Sequence, residues 1–320
     1  MFRGADRLCI RFLNVGEGDA TLIESFSGGH VFRMLVDVGE ADIKHTQMRM
    51  SCADHMRRLG ISRLNLVVIT HLHKDHAGGL NELRKVVHID RILSAYIPEG
   101  TLPLTAPEGA PKTVCGMVDC VNRWIADWKK LGKAQRTVLT QSANGVLLNR
   151  GLLADFAIEN PDWPQFQKDV WEKMRSGHFV SESDMIAASK LRNPASIRML
   201  LQYAGRRIEL SADCYGVLWE KHAEPCDILK VPHHGDQKSV TPELAERLKP
   251  EYAVITCSDK YVAKKDRPSA NAIALLRNQG AKVYFTDAFA EPDAKPEYHA
   301  EVAFFIDETG AIHAPEGNRT

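Results

Sequence analysis

Short apolar runs separated by turn residues predict strands at the beginning of the chain. The runs LCIRFLNV, ATLIESF and HVFRMLVDVG are rich in Val, Ile, Leu and Phe, and Gly-Glu-Gly-Asp and Ser-Gly-Gly turns separate them. Residues 51–59 have the apolar spacing of a short helix, and LNLVVIT is a compact apolar run typical of a strand buried on both faces. We therefore expect a meander, then a helix and a buried strand.

Helical patterns are more frequent in the middle of the chain. NELRKVV, VCGMVDCVNRWIADWKKL, WPQFQKDVWEKM and SDMIAASKL repeat apolar residues at helical spacing, whereas RILSAYI, TVLT and LLADFAI favour strands. Gly78 and Gly79, before the first of these helices, permit a close approach of the backbone. We expect one domain of 1–320, with about 101–191 as a helix-rich insertion within it.

Strands and helices alternate in the last third of the chain. SIRMLLQYA and RRIELSAD pair around a turn at Gly205-Arg206, and DILKVP, PELAERL, YAVITCS, NAIALLRNQ, KVYFTD and VAFFID follow. Two groups of strands with helices between them argue for two packed sheets covered by helices. The predicted fold class is α/β.

The amino-acid composition limits the classes of partner that this chain can attract. The chain has 320 residues, of which 44% are hydrophobic, enough for a sizeable core. Lysine and arginine together number 41 and aspartate and glutamate also 41, so no net field attracts nucleic acid, a membrane or acidic substrates. Any binding of a polyanion must therefore be local.

The cysteines and the longest apolar runs indicate a location. The seven cysteines form no C-x-x-C pair and are odd in number, which suggests a reducing compartment. No run approaches the roughly 18 consecutive apolar residues of a membrane-spanning helix, and the beginning of the chain lacks the apolar core of a signal peptide. We expect a soluble, cytoplasmic protein with no membrane partner.

A dense cluster of metal-binding residue types follows the buried strand. His71, His73, Asp75 and His76 lie within the six residues HLHKDH. Such a cluster is costly to desolvate, and a bound metal ion is the usual compensation. Imidazole and carboxylate suit zinc, manganese or iron, and a thiolate is absent from the cluster.

Two further apolar runs end in residues of the same kinds. RRIELSAD ends at Asp213, and DILKVPHHGD contains His233 and His234. A carboxylate such as Asp213 can bridge two cations about 3.5 to 4 Å apart, which together hold a hydroxide and neutralise a scissile phosphate or carbonyl. Neighbouring side chains on an extended backbone diverge, so one of the two histidines binds a metal and the other contacts substrate or packs.

These residues resemble a known family. HLHKDH matches the H-x-H-x-D-H signature of the metallo-β-lactamase fold superfamily. LNVGEGDATLI, LVDVG, ITHLHKDHAGGL, ELSAD, LKVPHHG and YAVIT resemble, in this order, segments of the nuclease-like domain of the competence protein ComEC and its soluble relatives. The resemblance runs from about Leu8 to Asp287, with 101–191 poorly matched.

The resemblance implies a four-layer αβ/βα sandwich with a dinuclear metal site at one edge. Asp37 in LVDVG resembles a carboxylate that orients a ligand histidine, and Asp19 matches a motif position of less defined role. The ligands that the resemblance implies are His71 and His73 for the first ion, Asp75 and His76 with His233 or His234 for the second, and Asp213 between them.

This chain departs from the pattern at four positions. Asn193 stands where most of the superfamily has a histidine, so the first ion is held more weakly. Asp236 replaces a serine, Arg267 precedes Pro268 where histidine is frequent, and Ala212 replaces a glycine.

We therefore expect a metal-dependent phosphodiesterase, most specifically a nuclease, that uses two divalent ions, Zn²⁺ or Mn²⁺. Asp75 or Asp213 would orient the attacking water or accept its proton, and Lys230, Lys238 or Arg267 would steady the phosphate. Its substrate would be nucleic acid or a nucleotide-like phosphodiester. Two alternatives stay open: a hydrolase of a small ester, thioester or lactam, and a non-catalytic regulatory module that binds metal.

Overall fold

The computed structural model describes residues 6–43, 48–95, 103–258, 267–287 and 299–315. The strands are β1 Arg7–Leu13, β2 Thr21–Ser27, β3 His30–Val36, β4 Arg63–Leu64, β5 Leu66–Ile69, β6 His88–Ile89, β7 Ile92–Ser94, β8 Arg136–Val138, β9 Ala143–Asn149, β10 Leu152–Ala157, β11 Arg198–Tyr203, β12 Arg206–Leu210, β13 Ile228–Lys230, β14 Tyr252–Ile255, β15 Lys282–Phe285, β16 Glu301–Asp307 and β17 Ile312–His313. The helices are α1 Cys52–Leu59, α2 Lys74–Ala77, α3 Leu80–Leu83, α4 Lys112–Lys129, α5 Asp162–Arg175, α6 Glu182–Lys190, α7 Pro242–Leu248 and α8 Ala270–Asn278.

Two large sheets contain most of the described strands. The first has the order β17-β16-β1-β2-β3-β5-β7-β8 and is antiparallel from β17 to β3 and parallel from β3 to β8. The second has the order β15-β14-β13-β12-β11-β10-β9 and is parallel from β15 to β12 and antiparallel beyond. Strands β4 and β6 form a separate short pair. Each large sheet therefore has a parallel part, and loops that follow those strands lie at its carboxyl edge.

Three layers of apolar side chains hold the sandwich together. In β5, Leu66 and Val68 face the second sheet, whereas Val67 and Ile69 face the helices on the outside of the first sheet. This alternation follows from the two-residue period of a strand, and it confirms that LNLVVIT is buried on both faces. Helices α7 and α8 cover the outer face of the second sheet. The observed order of helix, sheet, sheet and helix confirms the expected four-layer α/β sandwich.

The predicted helix over 51–59 forms as α1. The Ser51 side chain accepts a hydrogen bond from the backbone N–H of Asp54 at 3.2 Å, which caps the first turn. Gly60 ends the helix with a φ of 65°, a left-handed conformation that glycine adopts without steric cost.

Gly79 is required for a different reason: a Cβ there would lie 2.4 Å from the carbonyl oxygen of Val38.

The expectation that 101–191 is an insertion needs correction. Helices α4, α5 and α6 lie in this segment as predicted and pack on the outer face of the first sheet. The segment also supplies β8 to the edge of the first sheet and β9 and β10 to the second. Because β10 pairs with β11 along its whole length, this stretch is part of the sandwich and not an addition to it. Residues 101 and 102 lie outside the described ranges.

Two local features differ from the predictions, and a third prediction is confirmed as far as the described residues extend. NELRKVV forms only the single turn α3, because its later residues bend towards β6. Strand β9 was not predicted, since ANGVLLN contains a glycine and two asparagines, and none of its residues is fully buried. RILSAYI forms a strand over Ile92–Ser94, and its last two residues lie outside the described ranges.

Candidate metal centre

Four strand ends meet at one edge of the sandwich. Strands β3 and β5 run parallel in the first sheet and are followed by Asp37 and His71. Strands β12 and β13 run parallel in the second sheet and are followed by Asp213 and His233. Carboxyl ends of parallel strands are where sites collect in α/β proteins. The four loops bring the predicted metal-binding residues together.

The loop after β5 turns sharply at His73. This residue has an extended backbone and precedes the single helical turn α2, which contains Asp75 and His76. The ring atoms Nε2 of His71 and Nδ1 of His73 lie 2.8 Å apart. One short loop therefore presents three imidazoles and a carboxylate to a common point.

Asp37 holds His76 in one orientation. Its Oδ2 lies 2.7 Å from Nδ1 of His76, and it accepts hydrogen bonds of 2.8 Å from the Thr70 backbone N–H and hydroxyl. With Nδ1 engaged in this way, Nε2 of His76 is directed away from Asp37 and lies 3.3 Å from Oδ2 of Asp213. A carboxylate behind a histidine is the arrangement that orients metal ligands in proteins.

Asp213 lies at the centre of the cluster. Its Oδ2 is 3.7 Å from Nε2 of His71, 3.3 Å from Nε2 of His76 and 3.7 Å from Nε2 of His233. Its Oδ1 is 3.8 Å from Nε2 of His234. Four imidazoles from two loops thus converge on one buried carboxylate.

His233 and His234 point in different directions. Nε2 of His234 lies 3.5 Å from Oδ2 of Asp75, and its Nδ1 lies 3.1 Å from the carbonyl oxygen of Thr256. The two nitrogens of His234 are therefore divided between the cluster and the end of β14, as in a metal-binding histidine with an orienting partner.

His233 lies on the other side of Asp213. Its Nδ1 is 2.7 Å from Oδ2 of Asp236, and its Nε2 is 3.0 Å from Nδ2 of Asn193. Its ring also packs against Tyr215. Asn193 is thus adjacent to the cluster. It is the residue for which the resemblance implied a weak contact with the first ion.

Lys230 does not lie where a substrate could reach it, which corrects its predicted substrate contact. Its side chain is 2% exposed, and its Nζ donates a hydrogen bond of 2.9 Å to the carbonyl oxygen of Ala212. It also forms an ion pair with Asp19 and lies 3.9 Å from Oδ1 of Asp213. Lys230 therefore compensates the negative charge of two buried carboxylates from behind the cluster.

The other two predicted phosphate-binding cations lie at the rim. Arg267 is partly exposed, with Nη2 3.8 Å from Oδ2 of Asp236. Lys238 is exposed, and its Nζ lies 5.7 Å from the Tyr215 ring centroid. Both are on the His233 side of the cluster.

Burial keeps two of the histidines neutral. It lowers the pKa of His71 well below its usual value, and the neighbouring His76 and His73 add to the effect. It also lowers the pKa of His73 to about 3, with a further contribution from the nearby Arg192 charge. A neutral imidazole is the form that binds a metal ion.

The carboxylates have the opposite effect on their partners. Burial lowers the pKa of His76, but Asp213, Asp37 and Asp75 outweigh it and raise that pKa well above the usual value. Burial raises the pKa of Asp213, yet His76, His233 and His234 together pull it well below the usual range. Asp213 thus stays anionic, and a divalent cation would replace the proton on His76.

The donor atoms fit a divalent ion. Nε2 of His76, Nε2 of His234, Oδ1 of Asp213 and Oδ1 of Asn193 are buried without a well-aligned hydrogen bond in the described structure. Bonds of about 2.0–2.2 Å in a tetrahedral site place ligand atoms roughly 3.3–3.6 Å apart, close to the separations observed around Asp213 and Asp75. Among the described residues, three sets of three bring potential ligand atoms within 4.8 Å of one another: His71, His76 and Asp213; Asp75, His76 and His234; and Asp19, Asp37 and His76.

The site is built on strained backbone. Asp37, Ala212, His233 and His234 have φ values of 58°, 47°, 44° and 53°, in the left-handed region that side chains disfavour. Such residues persist where surrounding contacts enforce them and concentrate at functional sites. At Ala212 the positive φ also explains why a glycine would be the expected residue.

A cavity of about 500 Å³ opens beside His73 and Asp75. Helix α4 forms one wall, and Arg192 and Lys74 lie at its other sides. This volume falls within the roughly 300–1,000 Å³ of small-molecule sites. A ligand in the cavity would adjoin the cluster from the His73 side.

Three contributors were missed by the sequence analysis. Thr70 and Thr256 both follow strands and contact Asp37 and His234, so the rule that polar residues at strand ends collect in sites could have identified them. Arg192 carries no such signal, since its position depends on contacts with Ser189 and with the carbonyl oxygen of Leu72.

Residues 13–99, which include the HLHKDH cluster, match the family model described as Metallo-beta-lactamase superfamily. The architecture around that segment is the metallo-β-lactamase fold. No curated protein sequence matches the chain.

Solved structures give similarities of fold alone. The metallo-β-lactamase fold protein YhfI from Bacillus subtilis is 12% identical with a TM-score of 0.45, over 88% of this chain and 96% of that one. The short form of human tRNase Z is 15% identical with a TM-score of 0.41, over 79% and 94%. An archaeal metallo-β-lactamase superfamily protein from Sulfolobus tokodaii is 13% identical with a TM-score of 0.36, over 90% of each chain.

None of the helices in the described ranges combines the length and the apolar composition that crossing a bilayer requires.

Proposed function

We propose that this protein is a metal-dependent hydrolase with two divalent ions, Zn²⁺ or Mn²⁺, and that its substrate is a phosphodiester. The observation that supports this most is the convergence of His71, His76, His233 and His234 on the buried Asp213. A purely structural cluster of this size would leave several buried donor and acceptor atoms uncompensated.

Each ion has a set of candidate ligands. His71 and His73 would hold the first, with Asn193 beside it, and Asp213 would lie between the two ions. The second would be held by Asp75, His76 and His234. We assign the second ion to His234 because its Nε2 faces Asp75, whereas both nitrogens of His233 are close to other side chains.

The chain's own residues would prepare the reaction. Two divalent ions, when bound, supply Lewis acidity and a water acidified enough to attack. Asp75 and Asp213 are the anionic groups beside that position, and either would orient the water or accept its proton. Asp37 and Lys230 keep the ligands in place from behind, and Asp236 orients His233.

A phosphodiester fits the charges around the cluster. Arg192 and Lys74 border the cavity on the His73 side, and Arg267 lies at the rim near His233. Fixed cations at such positions neutralise the oxygens of a bound phosphate. Nucleic acid is one possible source of that phosphodiester, and a nucleotide-like small molecule is another.

The test is a hydrolysis panel. Purified protein with Mn²⁺ or Zn²⁺ would be incubated with bis(p-nitrophenyl) phosphate, labelled DNA and RNA, and chromogenic esters, thioesters and lactams. We expect phosphodiester cleavage, and we expect its rate to fall by more than about a hundredfold in His71→Ala. Loss of a direct metal ligand should reduce activity more than loss of a residue that only orients a ligand. The matched control His178→Ala removes an exposed histidine and should keep full activity.

Cleavage of esters or lactams alone would instead support the small-substrate alternative. Equal phosphodiester rates for His71→Ala and the parent would remove the proposal.

One observation favours a second candidate, a regulatory module that binds metal without catalysis. Asn193 offers an amide oxygen where a stronger imidazole donor would complete the first ion. Elemental analysis of protein purified without chelator distinguishes the two. Two ions per chain support the hydrolase, and fewer than one ion with no turnover supports the module.

A further inference from the structure

The inward face of α4 has a composition that the metal cluster does not explain. Lys112, Gly116, Asp119 and Arg123 all line the cavity beside His73. Their spacing of three, four or seven residues places them on one side of the helix. The opposite side carries the apolar residues that pack on the first sheet. One surface of this helix is therefore used for the core, and the other borders the cavity.

Cations predominate on the cavity wall. It contains Lys74, Lys112, Arg123 and Arg192 but only two carboxylates, Asp75 and Asp119. Asp75 belongs to the candidate metal cluster, which leaves a single acid for the wall itself. The chain as a whole has equal numbers of cationic and anionic residues. The cavity wall therefore carries a local excess of positive charge that the chain as a whole does not have.

Two of these cations contact other groups of the protein, and two do not. Lys74 forms an ion pair with Glu40, and Arg192 donates to the Ser189 carbonyl oxygen at 3.0 Å. Lys112 and Arg123 are exposed, and within the described ranges neither side chain makes a hydrogen bond or an ion pair.

The space between the two cations is open. A Cβ added at Gly116, one turn after Lys112, would meet no atom within 4 Å. Lys112 and Arg123 are eleven residues apart, about 16 Å along the helix axis, and Asp119 lies between Gly116 and Arg123 on the same face. An anionic group can approach the helix at Gly116 without displacing a side chain, and the long side chains of the two cations can both extend towards it. Two unpaired cations around such a space form a site for a phosphate group.

We propose that the Lys112–Arg123 face of α4 binds a second phosphate group of the substrate, beside the phosphodiester that is cleaved at the cluster. This rests on the proposed function. The favoured substrate is a small molecule with two phosphate groups. A long polynucleotide fits less well, because the chain has no net positive charge to attract such polymers.

The test compares two chromogenic substrates that differ by one phosphate. The first is the p-nitrophenyl ester of thymidine 5′-phosphate, and the second is the same ester with an additional 3′-phosphate. We expect Arg123→Gln and Lys112→Gln each to raise KM for the second ester roughly tenfold, because each removes one charge-assisted contact. The value of kcat should be nearly unchanged. Neither variant should change KM for the first ester.

Controls separate a local contact from a general loss of charge. Lys173→Gln removes an exposed lysine from α5, and Arg150→Gln removes an exposed arginine between β9 and β10. Neither residue lines the cavity, so both variants should match the parent on both esters. Arg123→Lys keeps the charge and should recover most of the lost affinity.

A binding measurement keeps this inference separate from the proposed function. Thymidine 3′,5′-bisphosphate would be titrated calorimetrically into the metal-loaded full chain. If no phosphodiester is cleaved but binding weakens in Arg123→Gln and not in Lys173→Gln, the phosphate site stands and the proposed hydrolysis does not. Equal binding and equal KM values for parent, Lys112→Gln and Arg123→Gln would overturn the site. A KM effect confined to single-stranded oligonucleotides would overturn the assignment to a small substrate.

Discussion

The two sides of the metal cluster differ in how they are supported. On the side of His76 and His234, the buried residues Asp37, Asp19 and Thr256 contact the imidazoles from behind. On the side of His71 and His73, the cavity lies directly adjacent, and the buried contact behind the imidazoles is that of the Thr70 hydroxyl with Nδ1 of His71 at 3.1 Å. The first side has its ligands fixed before any ion binds, whereas the second has fewer contacts that hold them.

This difference links how tightly each ion would be held to how near it would lie to the cavity. A fully supported ion can stay bound through many turnovers, because its ligands have no other favourable orientation. A less supported ion at His71 and His73 would lie next to the cavity. We therefore expect the ion at Asp75, His76 and His234 to bind more tightly than the ion at His71 and His73.

The largest effect is expected at the residue that both sides share. Asp213→Asn removes the charge between the two ions while keeping the shape of the side chain. Phosphodiester hydrolysis should fall by more than about a hundredfold and both ions should be lost, since the exchange removes a direct ligand. Elemental analysis and kcat/KM would measure this, with circular dichroism to verify folding. Retention of two ions would show that Asp213 does not lie between them.

A smaller loss is expected from the support of His76. Asp37→Asn weakens the acceptor for Nδ1 of His76, so that the ring is oriented less firmly. We expect metal affinity or activity to fall by roughly 10- to 100-fold, on the second ion first. Asp42→Asn, the same exchange at an exposed position nearby, should have no effect. Loss of the first ion before the second would contradict the expectation that Asp37 supports the second ion.

A gain is expected on the less supported side. Asn193→His supplies an imidazole beside His233 and Asp213, where the present amide oxygen has no partner. The first ion should bind about tenfold more tightly, because imidazole is the stronger donor for these metals. Competition with a chromogenic chelator would measure it, and Asn144→His on the exposed strand β9 is the control. Unchanged affinity would mean that position 193 does not face the ion.

The smallest effect is expected at Asp236. Burial raises the pKa of this carboxyl, but the contact with His233 outweighs it and keeps the pKa below the usual value. Asp236→Asn removes the charge but retains an acceptor for Nδ1 of His233. We expect kcat/KM to fall only severalfold, by less than about tenfold, with both ions retained. A loss as large as that of Asp37→Asn would show that His233 is itself a ligand that needs an anionic partner.

Much of the fold was predictable because its elements have local signals. The strands from LCIRFLNV to HVFRMLVDVG, the buried run LNLVVIT and the helix over 51–59 all form where the apolar spacing indicates. Strand β9 was not predictable in this way. Its apolar residues are interrupted by a glycine and flanked by asparagines, and the strand is held by pairing with β10, which is a tertiary contact.

The candidate site was predictable in composition but not in arrangement. Proximity along the chain places His71, His73, Asp75 and His76 together, whatever the rest of the molecule does. Lys230 has the charge of a phosphate-binding residue. Its burial against Asp19 shows, however, that a cation at the end of a strand can also face the interior. Its direction depends on how β13 is placed in the sheet, which is not a local property.

The sequence by itself determined the chemistry of the cluster and the order of most strands, because ligand types and two-residue alternation are local features of the chain. Only the tertiary structure decided that Asp213 lies among four imidazoles, that His234 and not His233 faces Asp75, and that α4 borders the cavity. These relations depend on the register of parallel strands in two sheets and on left-handed turns after them. Distances between loops follow from how sheets pack, and no single segment encodes that packing.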